Sequence, residues 1–149
     1  KLLDKELESQ LADDDLGSRL LSIPCVGPIT ASLQAVEMGD GQQYSSSRDF
    51  AASVGLVPKQ YSTGGRQELL GISKRGNKNL RYLLVLCARV YMMRLEHQKG
   101  PLAEWVRSLS ARRHSNVVAC ALANKLARIA WAIAIRHTQY ETGPAAMNA

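Results

Sequence analysis

The chain has 149 residues and a mass of 16.3 kDa, which is one domain's worth of polypeptide. A hydrophobic share of 46% against 21% charged residues excludes a fully disordered chain. Charge is unevenly divided: residues 1–58 hold four Lys or Arg against nine Asp or Glu, whereas residues 59–113 hold twelve against three, a net +9. Such a polarised surface points to a polyanionic partner, with a solvated basic face as the plainer account. No apolar run approaches the roughly 18 residues of a membrane span, so no membrane partner is expected. The first residues, Lys-Leu-Leu-Asp-Lys-Glu, do not read as a signal peptide, and a start at Lys1 suggests a piece of something longer. Cys25, Cys87 and Cys120 are far apart in apolar surroundings and read as reduced core thiols.

In chain order, Leu2, Leu3, Leu7 and Leu11 form a short amphipathic stripe. Asp13-Asp14-Asp15 opens a second short helix through Leu16, Leu20 and Leu21, as acidic residues favour a helix start. Three adjacent Asp could also suggest a metal site, but neighbours on a helix point in different directions. Ile23 to Pro28 breaks the helix and Ile29 to Met38 resumes it. Gly39-Asp40-Gly41 is a turn. Ser46-x-x-Asp49 resembles a capping box that starts a helix with Phe50, Ala51, Val54 and Leu56 inward and ends at Pro58.

Residues 59–76 read as one long irregular stretch rich in Gly, Ser, Lys and Arg. Two long helices follow. Leu80, Leu83, Leu84, Cys87, Val90 and Tyr91 line one; Val118, Leu122, Leu126, Ile129 and Ile133 line the other, with Ser115 or Asn116 as its cap. The fold class predicted is all-α: a helical bundle with a helix-hairpin-helix-like turn and one long basic Gly/Ser loop.

Two segments can carry chemistry. Ile23-Pro24-Cys25-Val26-Gly27-Pro28-Ile29-Thr30 looks like a helix-hairpin-helix turn, whose exposed amides at a helix start can hold a backbone phosphate. Cys25 stands where that motif has its first glycine. Gly27 is expected where a side chain would clash or φ is positive, with its amide outward; an unliganded corner is the plainer account. The second segment is Lys59 to Arg66, with Ser62-Thr63-Gly64-Gly65 at its centre, continuing to Lys74, Arg75 and Lys78. Glycines let a phosphate approach the backbone closely, and the cations supply charge. The nearest carboxylate is Glu68 and no His lies in the segment, so a serine there has no obvious local base. On the residues alone, Ser62-Thr63-Gly64-Gly65 reads as a plain turn.

The series IPCVGPITA, RDFAASVGLVPKQYSTGG, LLGISKRGNKNLRYLL and ALANKLARIAW, over roughly residues 15–135, resembles one family closely. It is that of the DEDD transposases of the Piv and MooV type, encoded by insertion sequences that use a guide RNA. The match is to their C-terminal, transposase-20 domain.

The resemblance implies a homo-oligomeric bacterial enzyme, cytoplasmic and associated with the nucleoid. Its N-terminal RuvC-like domain binds Mg²⁺ through four carboxylates, and no such set is legible here. Residues 1–12 would end a linker helix, residues 13–141 would form the helical domain, and residues 142–149 would be a flexible tail. The domain would contact DNA and guide RNA and supply a serine that becomes covalently joined to DNA. By ungapped counting from the proline the nucleophile falls on Thr63. A loop one residue shorter before Ser73-Lys74 shifts it to Ser62, the position shared with related STGG and SSGG loops, and Ser62 is favoured. Gly27, Thr30, Lys59, Gly64, Gly65, Arg66, Lys74, Arg75 and Lys78 are the candidate nucleic-acid contacts. The competing functions are a helix-hairpin-helix binding module without chemistry and a protein-interaction bundle that dimerises through Leu80–Tyr91.

Overall fold

The computed structural model describes residues 15–63, 66–72, 74 and 76–141, together with residues 3, 5 and 6; for residues 58–71 it describes the backbone alone. The elements are α1 (Asp15–Leu20), α2 (Pro28–Met38), α3 (Ser47–Ser53), β1 (Pro58–Thr63), β2 (Arg66–Ile72), α4 (Lys78–Met93), a 3-10 turn at Leu95–His97, α5 (Pro101–Ser110) and α6 (Ser115–Arg136). The first leucine stripe beyond Leu3, as well as Asp13, Asp14 and the tail from Thr142, lies outside the described residues.

The helical bundle is as the apolar spacing predicts. Val118, Leu122, Leu126, Ile129 and Ile133 of α6 are all buried, and α6 packs on α1, α3, α4 and α5. Leu80, Leu84, Cys87 and Tyr91 of α4 are buried against it. The stripe offered as a dimer seam is therefore used inside the bundle. Phe50, Ala51, Val54 and Leu56 are buried as expected, and the Ser46 hydroxyl accepts the Asp49 amide at 3.2 Å.

Three expectations are corrected. Residues 58–72 are not an irregular loop: β1 and β2 pair antiparallel, with Gln60 opposite Leu69, Tyr61 opposite Glu68, Ser62 opposite Gln67 and Thr63 opposite Arg66. Only residues 64 and 65 separate the strands, and a Gly-Gly pair is a two-residue hairpin connection in the sequence. The cap of α6 is His114, one residue early: its Nδ1 accepts the Asn116 amide at 3.1 Å. Lastly, α6 is long and apolar enough to cross a membrane, with a mean hydropathy of 1.5 over its most apolar stretch. Alanines interleaved with Ile, Leu and Val produce that value with no unbroken apolar run longer than seven residues. Most of that stretch is buried within the bundle, as in the core helix of a globular domain.

The far end of α6 is held by a buried arginine. Arg19 Nη1 donates to the Ile133 carbonyl at 2.6 Å and to the Thr138 carbonyl at 3.4 Å, while Nη2 pairs with Asp15 at 3.2 Å. His137, in the left-handed region at φ 53°, closes the helix. The Tyr140 amide then donates to Ser22 Oγ at 2.8 Å.

Candidate nucleic-acid interface

The hairpin that carries Ser62 and Thr63 rises from a root built of four successive carbonyls. The Ser53 carbonyl accepts the Asn77 amide at 3.4 Å, and the Gly55 carbonyl accepts the Lys74 amide at 3.1 Å. The Val54 carbonyl accepts Arg81 Nη1 at 3.2 Å, and the Leu56 carbonyl accepts Asn124 Nδ2 at 2.9 Å. Arg81 of α4 and Asn124 of α6 tie the segment entering the ribbon to the bundle, and the Lys74 and Asn77 amides tie the segment leaving it to the entering one. Gly76 completes the root. Its φ is +89°, and a Cβ there would lie 1.8 Å from the Ser53 oxygen. Arg128 adds a tie from α6, donating to Ser47 Oγ at 3.3 Å. None of Asn124, Arg81 and Gly76 was singled out by the sequence reading. Their signal was present, since Gly76 lies in LLGISKRGNKNLRYLL and Asn124 in ALANKLARIAW.

Ser62 and Thr63 are the last two residues of β1, next to the two-residue connection. Glu68 stands opposite Tyr61, one register position from the Ser62–Gln67 pair. Lys59 and Arg66 lie on β1 and β2; their side chains, like those of Ser62 and Thr63, are outside the described residues, as are Gly64, Gly65, Ser73 and Arg75. Lys74 is exposed at the root with φ 57°, and Lys78 is exposed in the first turn of α4.

The turn before α2 is a separate feature. The Val26 amide donates to the Ile23 carbonyl at 3.1 Å, with Pro24 second and Cys25 third in the turn. Cys25 takes the left-handed conformation, φ 62°, at the third position of this turn. Gly27 is different from expectation. Its φ is −92° and ψ −178°, ordinary extended backbone at an N-cap, and a Cβ would meet nothing within 4 Å. Its backbone lies near enough to the Cys87 sulfur to help hold that thiol's pKa down. Thr30 is buried, with its hydroxyl 3.5 Å from the same sulfur. Burial pushes the Cys87 thiol up, and the Thr30 and Gly27 bonds only partly counter it. Cys25 is also raised, by burial and then by Cys87. Neither is a thiolate nucleophile near neutral pH.

The structure thus groups Lys74 and Lys78 at the hairpin root and places Gly27 and Thr30 apart from them. Cys87, which they touch, is nine residues beyond Lys78 on α4, about 13 Å along the axis. Among the described residues no three His, Cys, Asp or Glu converge to hold a metal ion.

Residues 17–101 match the family model described as Transposase IS116/IS110/IS902 family. This chain belongs to that transposase family. It is 64% identical over 138 residues to the transposase for insertion sequence element IS1328 of Yersinia enterocolitica, covering 93% of this chain and 41% of that protein. It is 44% identical over 141 residues to a probable family 20 transposase of Pseudomonas aeruginosa, covering 95% and 42%. With the transposase for insertion sequence element IS1111A of Coxiella burnetii it shares 39% over 140 residues, covering 94% and 38%. The chain spans about two fifths of the length of these relatives.

Proposed function

We propose that this chain is the part of an insertion-sequence transposase that binds DNA and a guide RNA and supplies a serine nucleophile, Ser62. The observation that carries this is the hairpin: a basic, glycine-tipped ribbon with hydroxyls beside its connection, rooted by bonds from two helices. Adjacent positions of a strand belong to opposite faces of a ribbon. Ser62 and Thr63 therefore do not serve the same face, and one of them alone meets a phosphodiester held there.

In the proposed step the Ser62 hydroxyl loses its proton as an Oγ–P bond forms. The P–O bond to one sugar breaks, and that sugar oxygen takes a proton. The serine-linked phosphodiester conserves the bond, so the reverse attack by a sugar hydroxyl rejoins strands without ATP. Lys59, Arg66, Lys74, Arg75 and Lys78 would stabilise phosphate oxygens by fixed charge. Magnesium chemistry belongs to residues outside this set, and no step here runs through it.

The test uses the full-length transposase with its DNA and RNA. Ser62→Ala is expected to abolish cleavage and the covalent DNA adduct while RNA binding stays near normal; Thr63→Ala reduces activity less. Mass spectrometry of the trapped adduct should place it on Ser62. An adduct on Thr63 moves the nucleophile by one residue. Cleavage by the double alanine variant would leave the domain as a binding module.

A further inference from the structure

The face of α4 turned away from the core is not a plain polar surface. Lys78, Tyr82, Leu86, Arg89 and Met93 recur at three- and four-residue spacing and form one stripe. Tyr82 is 66% exposed, Leu86 45% and Met93 82%. Large side chains left in water in a row mark a contact surface. Helix α4 itself carries three Lys or Arg and no Asp or Glu, and the next acidic residue, Glu96, lies three residues beyond Met93. Arg89 Nη2 donates to Asn116 Oδ1 at 2.9 Å, which joins the stripe to the first turn of α6. The exposed Arg112 and Arg113 lie in the turn leading there. The stripe begins at the hairpin root, where Lys78 stands, and reaches Arg89 eleven residues later, about 16 Å along α4.

We propose that this stripe binds single-stranded nucleic acid, with bases stacked on Tyr82 and phosphates held by Lys78, Arg89, Arg112 and Arg113. It rests on the functional reading above for its partner class and adds a track that the hairpin does not provide. An exposed aromatic ring among cations suits unpaired bases, whose faces are open. A duplex offers phosphates but hides those faces, so it has no use for Tyr82, Leu86 and Met93.

The probe is a dye-labelled dT oligonucleotide of about 15 nucleotides, titrated into the 149-residue chain by fluorescence anisotropy at several salt concentrations. Tyr82→Ala is expected to weaken binding about fivefold or more, while Tyr82→Phe binds like the wild type. The Arg89→Ala, Arg112→Ala, Arg113→Ala triple variant should lower the slope of log K against log salt by about 2. A 5-iododeoxyuridine oligonucleotide should cross-link the unmodified chain at Tyr82, a readout that needs no variant to fold. Wild-type affinity in Tyr82→Ala, or cross-links confined to residues 59–72, overturns the track while leaving the serine chemistry intact. Equal losses with duplex and single strand overturn the stacking. A change in sedimentation without a change in oligonucleotide binding makes the face a protein contact instead. Absence of any binding at low salt removes both the track and the nucleic-acid part of the functional reading, whereas the Ser62 adduct assay is unaffected by that result.

Discussion

The chain passes through left-handed backbone at two junctions beside α4, and the two are built differently. At the turn before α2 the left-handed residue is Cys25, which carries a side chain and packs it against the core. At the hairpin root Gly55, Lys74 and Gly76 are all left-handed, and at Gly76 any Cβ would meet the Ser53 oxygen at 1.8 Å. A positive φ alone costs an L-residue about 1–2 kcal/mol, which a well-packed turn absorbs. A positive φ pressed against a carbonyl leaves no room for any side chain. The residue type at a junction is therefore set by what lies across from it as much as by its own dihedral.

The largest expected effect is at the root. Gly76→Ala should cost about 3 kcal/mol or more, read as a shift in the denaturant midpoint, because either the hairpin or the end of α3 must move. A cost under about 1 kcal/mol would show that the root opens freely and would erase the contrast with Cys25.

Next comes the apolar floor under the Cys25 turn. Burial pushes Tyr91 up from 10 to about 12, and it lies near enough to Cys25 to feel its charge. A folded-state pKa above the unfolded one means the stabilisation is complete below about pH 10 and is lost as pH rises towards 12. Two units correspond to about 2.7 kcal/mol at most. Tyr91→Phe should remove that part of the alkaline loss in a series of melts between those pH values. The Cys25 and Cys87 thiols shift in the same direction and supply a remainder that this variant leaves in place.

Smaller effects test the turn itself. Cys25→Gly should raise stability by about 0.5 kcal/mol, the relief of left-handed strain less the greater freedom of glycine when unfolded. A loss of more than about 1 kcal/mol would mean that Cys25's packing outweighs its strain. Gly27→Ser should raise stability by about 0.3 kcal/mol, since an extended N-cap with open space accepts a better capping residue. Destabilisation there would restore the requirement for glycine that the sequence motif suggested.

Much of the bundle was legible because its signals are periodic and local. The apolar spacing of α4 and α6 and the Ser46 cap each report one element without reference to any other. The hairpin was read as a loop because Gly, Ser and charged residues are common to both, and pairing between strands is a relation that no single window contains. The Gly64-Gly65 pair was its one local signal. At the candidate interface, residue chemistry picked out the hydroxyls and cations but not the ties beneath them. Asn124 and Arg81 are remote in sequence from the carbonyls they hold, so their role emerges only when three helices meet. Thr30 failed for the opposite reason: its place in a familiar motif says nothing of the sulfur it faces across the core.

The Arg19 clasp has a topological consequence. It draws residues 15–22 and 133–140 to one pole of the bundle, where side-chain and backbone bonds link them directly. A polypeptide joined before Asp15 and another joined after Glu141 would leave from neighbouring points, like two cords from one socket. A short linker could close them into a circle, and the chain could then be opened in the exposed turn at 111–113 without parting any pair of packed helices.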